Sequence, residues 1–246
     1  MRNCLNCAII DAYVKQQEGQ QMSDKVFSVA IDGPAGAGKS TIAKSVSKKL
    51  GVIYVDTGAM YRAMALYLIR EGVDMEDAAA ISAKCKDADI SIKFEDGVQQ
   101  VILNGENVSG LIRTEQVSNM ASRSSVNPDV RKKLVELQQK LATRESLVMD
   151  GRDIGTVVLP EAKVKIYLTA SSAVRAKRRY EELIAKGENA DLAQIEADII
   201  ERDHRDMTRE ISPLKQAEDA VLVDTSNMTI EEVEEKLLAI VAEKVG

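Results

Sequence analysis

The residues best suited to chemistry form a glycine-rich loop between an apolar run and an amphipathic helix. Residues 33–41 read Gly-Pro-Ala-Gly-Ala-Gly-Lys-Ser-Thr and fit the pattern G-x-x-x-x-G-K-[ST]. Glycines let backbone N–H groups turn inward and surround phosphate oxygens at a helix N-terminus. In such a loop Lys39 reaches the β- and γ-phosphates of a nucleotide, and the Ser40 hydroxyl is a ligand for Mg²⁺. The predicted ATP-binding residues are therefore Gly33, Pro34, Ala35, Gly36, Ala37, Gly38, Lys39, Ser40 and Thr41.

The sequence around the loop supplies the structural context that this motif needs. Residues 26–32 form a short apolar run rich in β-branched side chains, which predicts a buried strand. Ile42, Val46 and Leu50 then mark one face of a helix that ends at Gly51. The loop alone does not distinguish a kinase from a GTPase or an ATP-driven motor. No N-K-x-D motif is present, which disfavours a guanine-specific GTPase.

Two further clusters lie at the predicted carboxyl ends of strands, where parallel sheets bind their ligands. Asp56-Thr57-Gly58-Ala59-Met60-Tyr61-Arg62 follows a predicted strand at 52–55, so Thr57 and Arg62 could bind a phosphate acceptor. Asp150-Gly151-Arg152-Asp153 follows a predicted strand at 147–149. Two acids and an arginine at such a position are difficult to explain by packing alone.

A third cluster of charges lies at residues 201–209. Arg202, Arg205, Asp206 and Arg209 are spaced at i, i+3, i+4 and i+7, which predicts one shared helix face. Three arginines on one face suit a phosphate-rich ligand. A solvated face of ion pairs is the alternative interpretation, because acidic residues alternate with these arginines.

Apolar runs alternate with helical patterns along most of the chain, including runs at 164–168 and 221–223. This order predicts a parallel sheet with helices on both faces. Residues 90–108 break the rhythm, because apolar and polar residues alternate there around Asp96-Gly97 and Asn104-Gly105 turns. We expect a small antiparallel meander at this point, followed by two helices, the second beginning at Pro128.

The alternation also predicts a domain organisation. The core comprises residues 25–72 and 146–246, and residues 73–145 form an insertion. Residues 1–24 are predicted to be an N-terminal extension, disordered or not native, with Met22 as a candidate start. Near the other end, Thr229 and Glu232 predict a capping box for a final helix.

Composition narrows the class of protein. The net charge is −6 and the isoelectric point is about 5.1, which argue against general affinity for nucleic acids. No apolar run is long enough to cross a bilayer, so we expect a soluble, cytoplasmic protein without a membrane partner. Cys4 and Cys7 form a single C-x-x-C, and the two further ligands that a zinc site needs are missing. A zinc or redox site at these cysteines is therefore not expected.

Together and in order, five motifs resemble the bacterial cytidylate kinases over about residues 25–245. They are the phosphate loop, D-T-G-A-M-Y-R at 56–62, S-G-L-I-R-T-E at 109–115, D-G-R-D-I-G-T-V-V at 150–158 and E-R-D-H-R-D at 201–206. The resemblance implies a P-loop kinase fold: a central five-stranded parallel sheet, an inserted domain with three antiparallel strands that binds the nucleoside monophosphate, and a short helical lid at about 171–190. It implies transfer of the ATP γ-phosphate to CMP or dCMP with Mg²⁺, by a monomer.

The resemblance also assigns roles to individual residues. Lys39, Arg152, Arg202 and Arg209 would be catalytic, and Arg178 and Arg179 would belong to the lid. Ser122, Arg131 and Asp153 would contact the base. Arg62, Arg152 and Arg209 would hold the acceptor phosphate, with Arg202 and Asp206 near sugar and phosphate. The CMP-binding set is therefore Thr57, Arg62, Ser122, Arg131, Arg152, Asp153, Arg202, Asp206 and Arg209.

Two alternatives remain open on the residues themselves. The first is a kinase of the same scaffold that phosphorylates UMP or AMP. The second is a regulatory protein that binds ATP without transferring phosphate, although such a protein would not need the arginine clusters. Addition of CMP to an assay that detects ADP separates these possibilities.

Overall fold

The computed structural model describes residues 26–95 and 98–245, and all structural statements below concern these ranges. In chain order the elements are β1 (Ser28–Asp32), α1 (Lys39–Leu50), β2 (Ile53–Asp56), α2 (Thr57–Arg70), α3 (Ala78–Lys84), a 3₁₀ turn (Cys85–Asp87), β3 (Ile90–Glu95), β4 (Val98–Leu103), β5 (Glu106–Asn107), α4 (Glu115–Ser124), α5 (Pro128–Ala142), β6 (Leu147–Gly151), a wide helical turn (Ile154–Val158), β7 (Val164–Thr169), α6 (Ser172–Ala185), α7 (Leu192–Thr208), β8 (Val221–Asp224) and α8 (Ile230–Val245).

The larger sheet has five strands in the order β2-β6-β1-β7-β8. β1 lies between β6 and β7 and pairs in parallel with both, and β8 pairs in parallel with β7. The register places Asp32, the last residue of β1, opposite Gly151 of β6 and Tyr167 of β7. Helix α1 packs on β6, and α8 packs on α1 and β7. The predicted α/β class with a parallel five-stranded sheet is confirmed.

The smaller sheet is an antiparallel meander in the order β3-β4-β5. Ile90 pairs with Leu103 and Ile92 with Val101. Asn104 and Gly105, which connect β4 to β5, both have positive φ angles of 49° and 85°. That backbone is the one favoured in tight hairpins, so the predicted meander is confirmed. The turn predicted at Asp96-Gly97 lies outside the described residues.

Internal contacts divide the chain into two compact units. Of the described residues, 26–53 and 145–245 form the core unit, and those within Tyr54–Arg144 form the insertion unit. The contacts therefore group α2 with the insertion, whereas the sequence pattern set the boundary after it. In the insertion unit, α2 buries Met60, Met64 and Leu68 completely and packs against α4, α5 and β4.

Helix ends follow local sequence signals with one exception. The capping box of α8 is confirmed, because Thr229 N–H donates to Glu232 Oε2 (2.9 Å) and Glu232 N–H donates to Thr229 Oγ1 (3.2 Å). Helix α5 begins at Pro128 as predicted. No helix in the described ranges has the length and apolar character needed to cross a bilayer.

The exception is the shared helix face predicted for residues 202–209, which is wrong at its last member. Helix α7 ends at Thr208, and Arg209 is extended with φ −62° and ψ 140°. The cause lies just downstream: Ser212 has a positive φ of 51°, and Arg209 Nε donates to its carbonyl (2.6 Å). Leu214 N–H then donates to Asp206 O (2.8 Å), replacing the next helical turn.

The phosphate loop leaves β1 through a close backbone approach at Gly33. The residue has a φ of +149°, and a Cβ atom there would lie 1.9 Å from the carbonyl oxygen of Leu168 in β7. No side chain larger than hydrogen fits without displacing backbone. The first glycine of the motif is therefore required by packing between the loop and the neighbouring strand.

Gly33→Ala should lower the free energy of unfolding by about 3 kcal/mol, because overpacking against backbone adds to the unfavourable φ. Gly51→Ala is the matched control. Gly51 also has a positive φ (+66°) but open space around it, so alanine should cost only about 1 kcal/mol there. Urea titration of both variants measures the difference, and equal losses would contradict the steric explanation.

Candidate active site

The loop at 33–40 connects β1 to α1 and carries its lysine inside the core unit. Gly36 and Gly38 have φ angles of +76° and +87°, which turn the backbone around the loop. Lys39 is only 5% exposed, and its Nζ donates to Pro34 O across the loop (2.7 Å). The ammonium group therefore lies at the centre of the loop, where the motif positions it against phosphate oxygens.

Ser40 forms a second contact that matters for chemistry. Its Oγ donates to Oδ2 of the buried Asp150 at the end of β6 (2.9 Å). Serine hydroxyl and carboxylate oxygens suit Mg²⁺, and P-loop enzymes use a loop Ser or Thr and a strand-end Asp for this ion. Sequence reasoning gave Asp150 no role of its own, although its position after an apolar strand was the available signal.

No group of three or more His, Cys, Asp or Glu side chains arranged to hold a metal occurs in the described residues. Ser40 and Asp150 therefore fit an ion that takes its remaining ligands from phosphate oxygens and water. This is the usual manner in which Mg²⁺ binds together with a nucleotide.

The charges around Lys39 are dense. The pKa of Lys39 is lowered to about 7, mainly by burial and next by the nearby Arg152, whereas Asp150 and Asp32 act in the opposite direction. Arg202 of α7 also contributes to the lowering. Three cationic side chains thus lie near one another at the loop, and a polyanionic ligand there would favour the charged form of Lys39.

Asp32 holds the turn that follows β6. Its two carboxylate oxygens accept from Ile154 N–H (2.8 Å) and Gly155 N–H (2.7 Å). Burial raises its pKa to about 6, and these two hydrogen bonds partly oppose the rise. The turn is wider than an α-helix, with Val158 N–H donating to Asp153 O (3.1 Å). Such turns are rare in proteins, and those that do occur often lie at functional sites. Sequence reasoning missed this role of Asp32.

Predicted acceptor residues of the core unit come together between this turn and the end of α7. Arg152 Nε donates to Asp206 Oδ2 (3.0 Å). Arg209 Nη2 lies 3.8 Å from Asp153 Oδ1, and both side chains are 7% exposed. Arg205, by contrast, is exposed and pairs with Glu201 (3.6 Å). Within the predicted cluster, Arg205 therefore matches the solvated alternative, whereas Asp206 contacts Arg152 and Arg209 lies beside Asp153.

The insertion unit presents its own cationic group at the start of α2. Asp56 caps the helix by accepting from Ala59 N–H (2.9 Å) and also accepts from Arg62 Nη2 (3.2 Å) and Arg113 Nη2 (3.4 Å). Arg62 Nε is buried without a hydrogen-bond partner among the described residues. Thr57 is 4% exposed. Arg113 belongs to the S-G-L-I-R-T-E motif, to which sequence reasoning assigned no individual role.

The two predicted base contacts of this unit lie on α4 and α5. Arg131 of α5 is 4% exposed and donates through Nη1 to Ser125 O (3.3 Å). Its guanidinium carbon lies 5.7 Å from the ring centre of Tyr61 on α2, within the range of a cation–π contact. Ser122 of α4 is half-buried.

The two predicted lid arginines occupy α6 and differ in their surroundings. Arg178 donates to Thr225 O (2.9 Å) and Oγ1 (3.3 Å), just after β8. Arg179 is exposed and pairs with Glu182 of the same helix (2.9 Å). Their role in a lid stays a prediction.

A glycine loop with a buried lysine, at the end of the central strand of a parallel sheet, defines a P-loop nucleotide-binding protein of the α/β class. The family model described as Cytidylate kinase matches residues 29–243. The chain belongs to the cytidylate kinase family.

Individual relatives agree with this assignment. The chain is 52% identical to a cytidylate kinase of Listeria innocua over 222 residues, covering 90% of this chain and 98% of that protein. It is 50% identical to a cytidylate kinase of Carboxydothermus hydrogenoformans over 216 residues, covering 88% and 97%. The corresponding protein of Lactiplantibacillus plantarum is 50% identical over 223 residues, covering 91% and 98%.

The lowered pKa of Lys39 should appear in the pH dependence of stability. Between about 7 and the ordinary value of 10.5, the unfolded chain keeps a proton that the folded chain has lost. The contribution of Lys39 to the free energy of unfolding therefore rises with pH in this window. Relative to Lys39→Met, the wild type should gain about 1.4 kcal/mol per pH unit, measured by urea titration from pH 7.5 to 9.5. Parallel pH profiles of the two proteins would contradict the lowered pKa.

Proposed function

We propose that this protein transfers the γ-phosphate of ATP to CMP, giving CDP and ADP. The observation that supports this most directly is the group of cations around the phosphate loop. Arg152 and Arg202 act electrostatically on Lys39, and Arg152 is held by Asp206. Lys39 is buried, Arg152 is half-buried and Arg202 is exposed, and a protein with a net charge of −6 that gathers these three cations at one loop is suited to bind several phosphates at once.

The reaction needs alignment more than proton transfer. An oxygen of the CMP phosphate forms a bond to the γ-phosphorus as the bond to the ADP oxygen breaks. Phosphate monoesters have a second pKa near 6, so the attacking oxygen is already ionised at neutral pH. No strong general base is required. Lys39, Arg152, Arg202 and Arg209 would offset charge on the transferred group in its loose transition state.

Mg²⁺ would be held by Ser40 and Asp150 and would neutralise charge on the β- and γ-phosphates. The hydrogen bond between these two side chains supports this assignment, because it brings both oxygens to one point beside Lys39. Exclusion of water by a lid containing Arg178 and Arg179 would limit hydrolysis of ATP.

Cytosine selection follows from hydrogen-bond complementarity. Cytosine presents an exocyclic amino donor and acceptors at N3 and O2. A carboxylate such as Asp153 accepts from the amino group, and an arginine such as Arg131 donates to the ring acceptors, with Ser122 as a third contact. Uracil replaces the amino donor with a carbonyl, so a buried carboxylate would face another acceptor. Burial of both Asp153 and Arg131 supports this assignment.

The acceptor phosphate would bind to arginines whose positions are fixed by carboxylates. In the insertion unit, Arg62 is held by Asp56 and keeps one buried donor without a partner, which suits a phosphate oxygen. In the core unit, the guanidinium groups of Arg152 and Arg209 would also bind oxygens of the acceptor phosphate, and Asp206 would lie near the sugar. Thr57, at the start of α2, is assigned to the same acceptor.

The remaining proposals follow the family. We infer that dCMP is also accepted, that the enzyme acts as a monomer, and that it works in the cytoplasm, where its nucleotide substrates are found. None of these requires nucleic acid or a membrane.

A coupled assay that detects ADP tests the reaction itself. With ATP and Mg²⁺ held constant, ADP should form with CMP or dCMP. The kcat/KM for UMP should be lower than that for CMP by a factor of about 100 or more. Lys39→Ala should abolish transfer. Equal rates with UMP or AMP would favour the alternative kinases, and ATP binding without any transfer would favour a regulatory protein.

Asp153→Ala and Arg131→Met test the base contacts. Each should lower kcat/KM for CMP by about 30-fold or more, as expected for a lost charge-assisted hydrogen bond, and leave KM for ATP within about threefold. Arg123→Met is the control, because Arg123 is an exposed arginine of α4 that pairs with Glu76. If the variants impaired the use of CMP and of ATP equally, Asp153 and Arg131 would not be contacts of the base.

A further inference from the structure

Arg175 is a buried arginine that the reaction outlined above does not use. It lies in the first turn of α6 and is 5% exposed. Its guanidinium donates to three different parts of the core unit: Nε to Ala170 O (2.9 Å), Nη1 to Ala35 O (2.9 Å) and Nη2 to Asp203 Oδ2 (2.5 Å). A planar fork with three directed partners has one favourable orientation, so this side chain is fixed.

One of the three partners is the phosphate loop itself. Ala35 follows Pro34, whose carbonyl accepts from Lys39. Two successive loop carbonyls are thus held by two different cations. Gly36 comes next, with a φ of +76°, and a Cβ atom there would lie 3.5 Å from Cβ of Arg175. The stem of the arginine therefore packs against the loop, and its head binds the loop backbone.

We propose that Arg175 is a positioning residue for the phosphate loop and that Asp203 orients its guanidinium. By holding the Ala35 carbonyl, Arg175 fixes the peptide planes on which the direction of the loop N–H groups depends. These N–H groups are the ones that bind phosphate in such loops. The inference deepens the proposed function, because it rests on ATP binding at this loop.

Asp203 connects the loop to the helix that carries the proposed acceptor residues. It lies on α7 next to Arg202 and three residues before Asp206, which accepts from Arg152. One helix thereby supports Arg175 through one carboxylate and Arg152 through another. Loss of Arg175 should act first on the triphosphate, because Ala35 belongs to the loop, and only secondarily on CMP.

A buried ion pair can also be purely structural, and a control variant separates the two roles. Glu234 of α8 is 12% exposed and pairs with Lys49 of α1 in the same unit, away from the loop. Glu234→Gln should lower the thermal unfolding midpoint and leave KM for ATP unchanged. Arg175→Met should lower the midpoint as well, but it should also raise KM for ATP by about tenfold or more, the loss expected for a charge-assisted hydrogen bond.

Variants of graded severity separate the effect of the hydrogen bonds of Arg175 from the effect of its positive charge. Arg175→Lys keeps the charge but cannot reach all three partners, so KM for ATP should lie between wild type and Arg175→Met. Asp203 Oδ1 is buried without a hydrogen-bond partner among the described residues. Asp203→Asn can therefore keep Oδ2 for Arg175, and its effect should be smaller than that of Asp203→Ala. Combined with Arg175→Met, Asp203→Ala should add no further increase in KM for ATP.

The measurements are steady-state kinetics of the full chain at saturating CMP, together with thermal unfolding of each variant. If Arg175→Met shows the same KM for ATP as Glu234→Gln, the positioning role is wrong. If Arg175→Met does not fold, Arg175→Lys and Asp203→Ala decide, and an unchanged KM for ATP in both overturns the proposal. A wild-type protein that does not bind ATP overturns the proposed function instead.

Discussion

The parallel register of β1 between β6 and β7 is the constraint on which the core unit depends. It sets Asp32 opposite Gly151 and Tyr167, so the three strands end at one edge. The phosphate loop, the segment that leads to the wide helical turn (Ile154–Val158) and the segment that leads to α6 all leave from this edge. A shift of one residue would turn every side chain of β1 to the opposite face and remove Asp32 from the backbone N–H groups of residues 154 and 155.

Several ionisable side chains are buried at this edge. Their desolvation is unfavourable, and it is offset because groups of opposite charge lie close together. Lys39, Asp32 and Asp150 are each at most 5% exposed, and Ser40 donates to Asp150. Burial lowers the pKa of Lys39 and raises that of Asp32, so both groups are shifted toward their neutral forms. A phosphate chain beside Lys39 would favour the charged ammonium again. Ligand binding and the ionisation of the loop are therefore coupled by the same desolvation that the fold imposes.

Local patterns predicted the elements well, because each depends on neighbours in sequence. The loop motif, the meander turn at Asn104-Gly105 and the capping box at Thr229 all follow from residue type and spacing. The end of α7 at Thr208 was not predictable from periodicity, since it depends on the backbone of Ser212 downstream. Arg175 was missed for a different reason. Two of its three partners lie 140 residues before it in the chain and 28 residues after it, and no local pattern carries that information.

Two arginines of the proposed site, Arg62 and Arg152, share one arrangement with Arg175, which supports the phosphate loop. Arg152 pairs with Asp206, Arg175 with Asp203, and Arg62 with Asp56. In each pair the carboxylate both orients the guanidinium and cancels part of its charge. A simple anion therefore gains little at any single arginine, because the carboxylate already occupies part of the fork. Within the core unit, a ligand that engaged both the loop and Arg152 would gain more than a simple anion at Arg152 alone, because each added contact would offset part of the charge that Asp206 already balances.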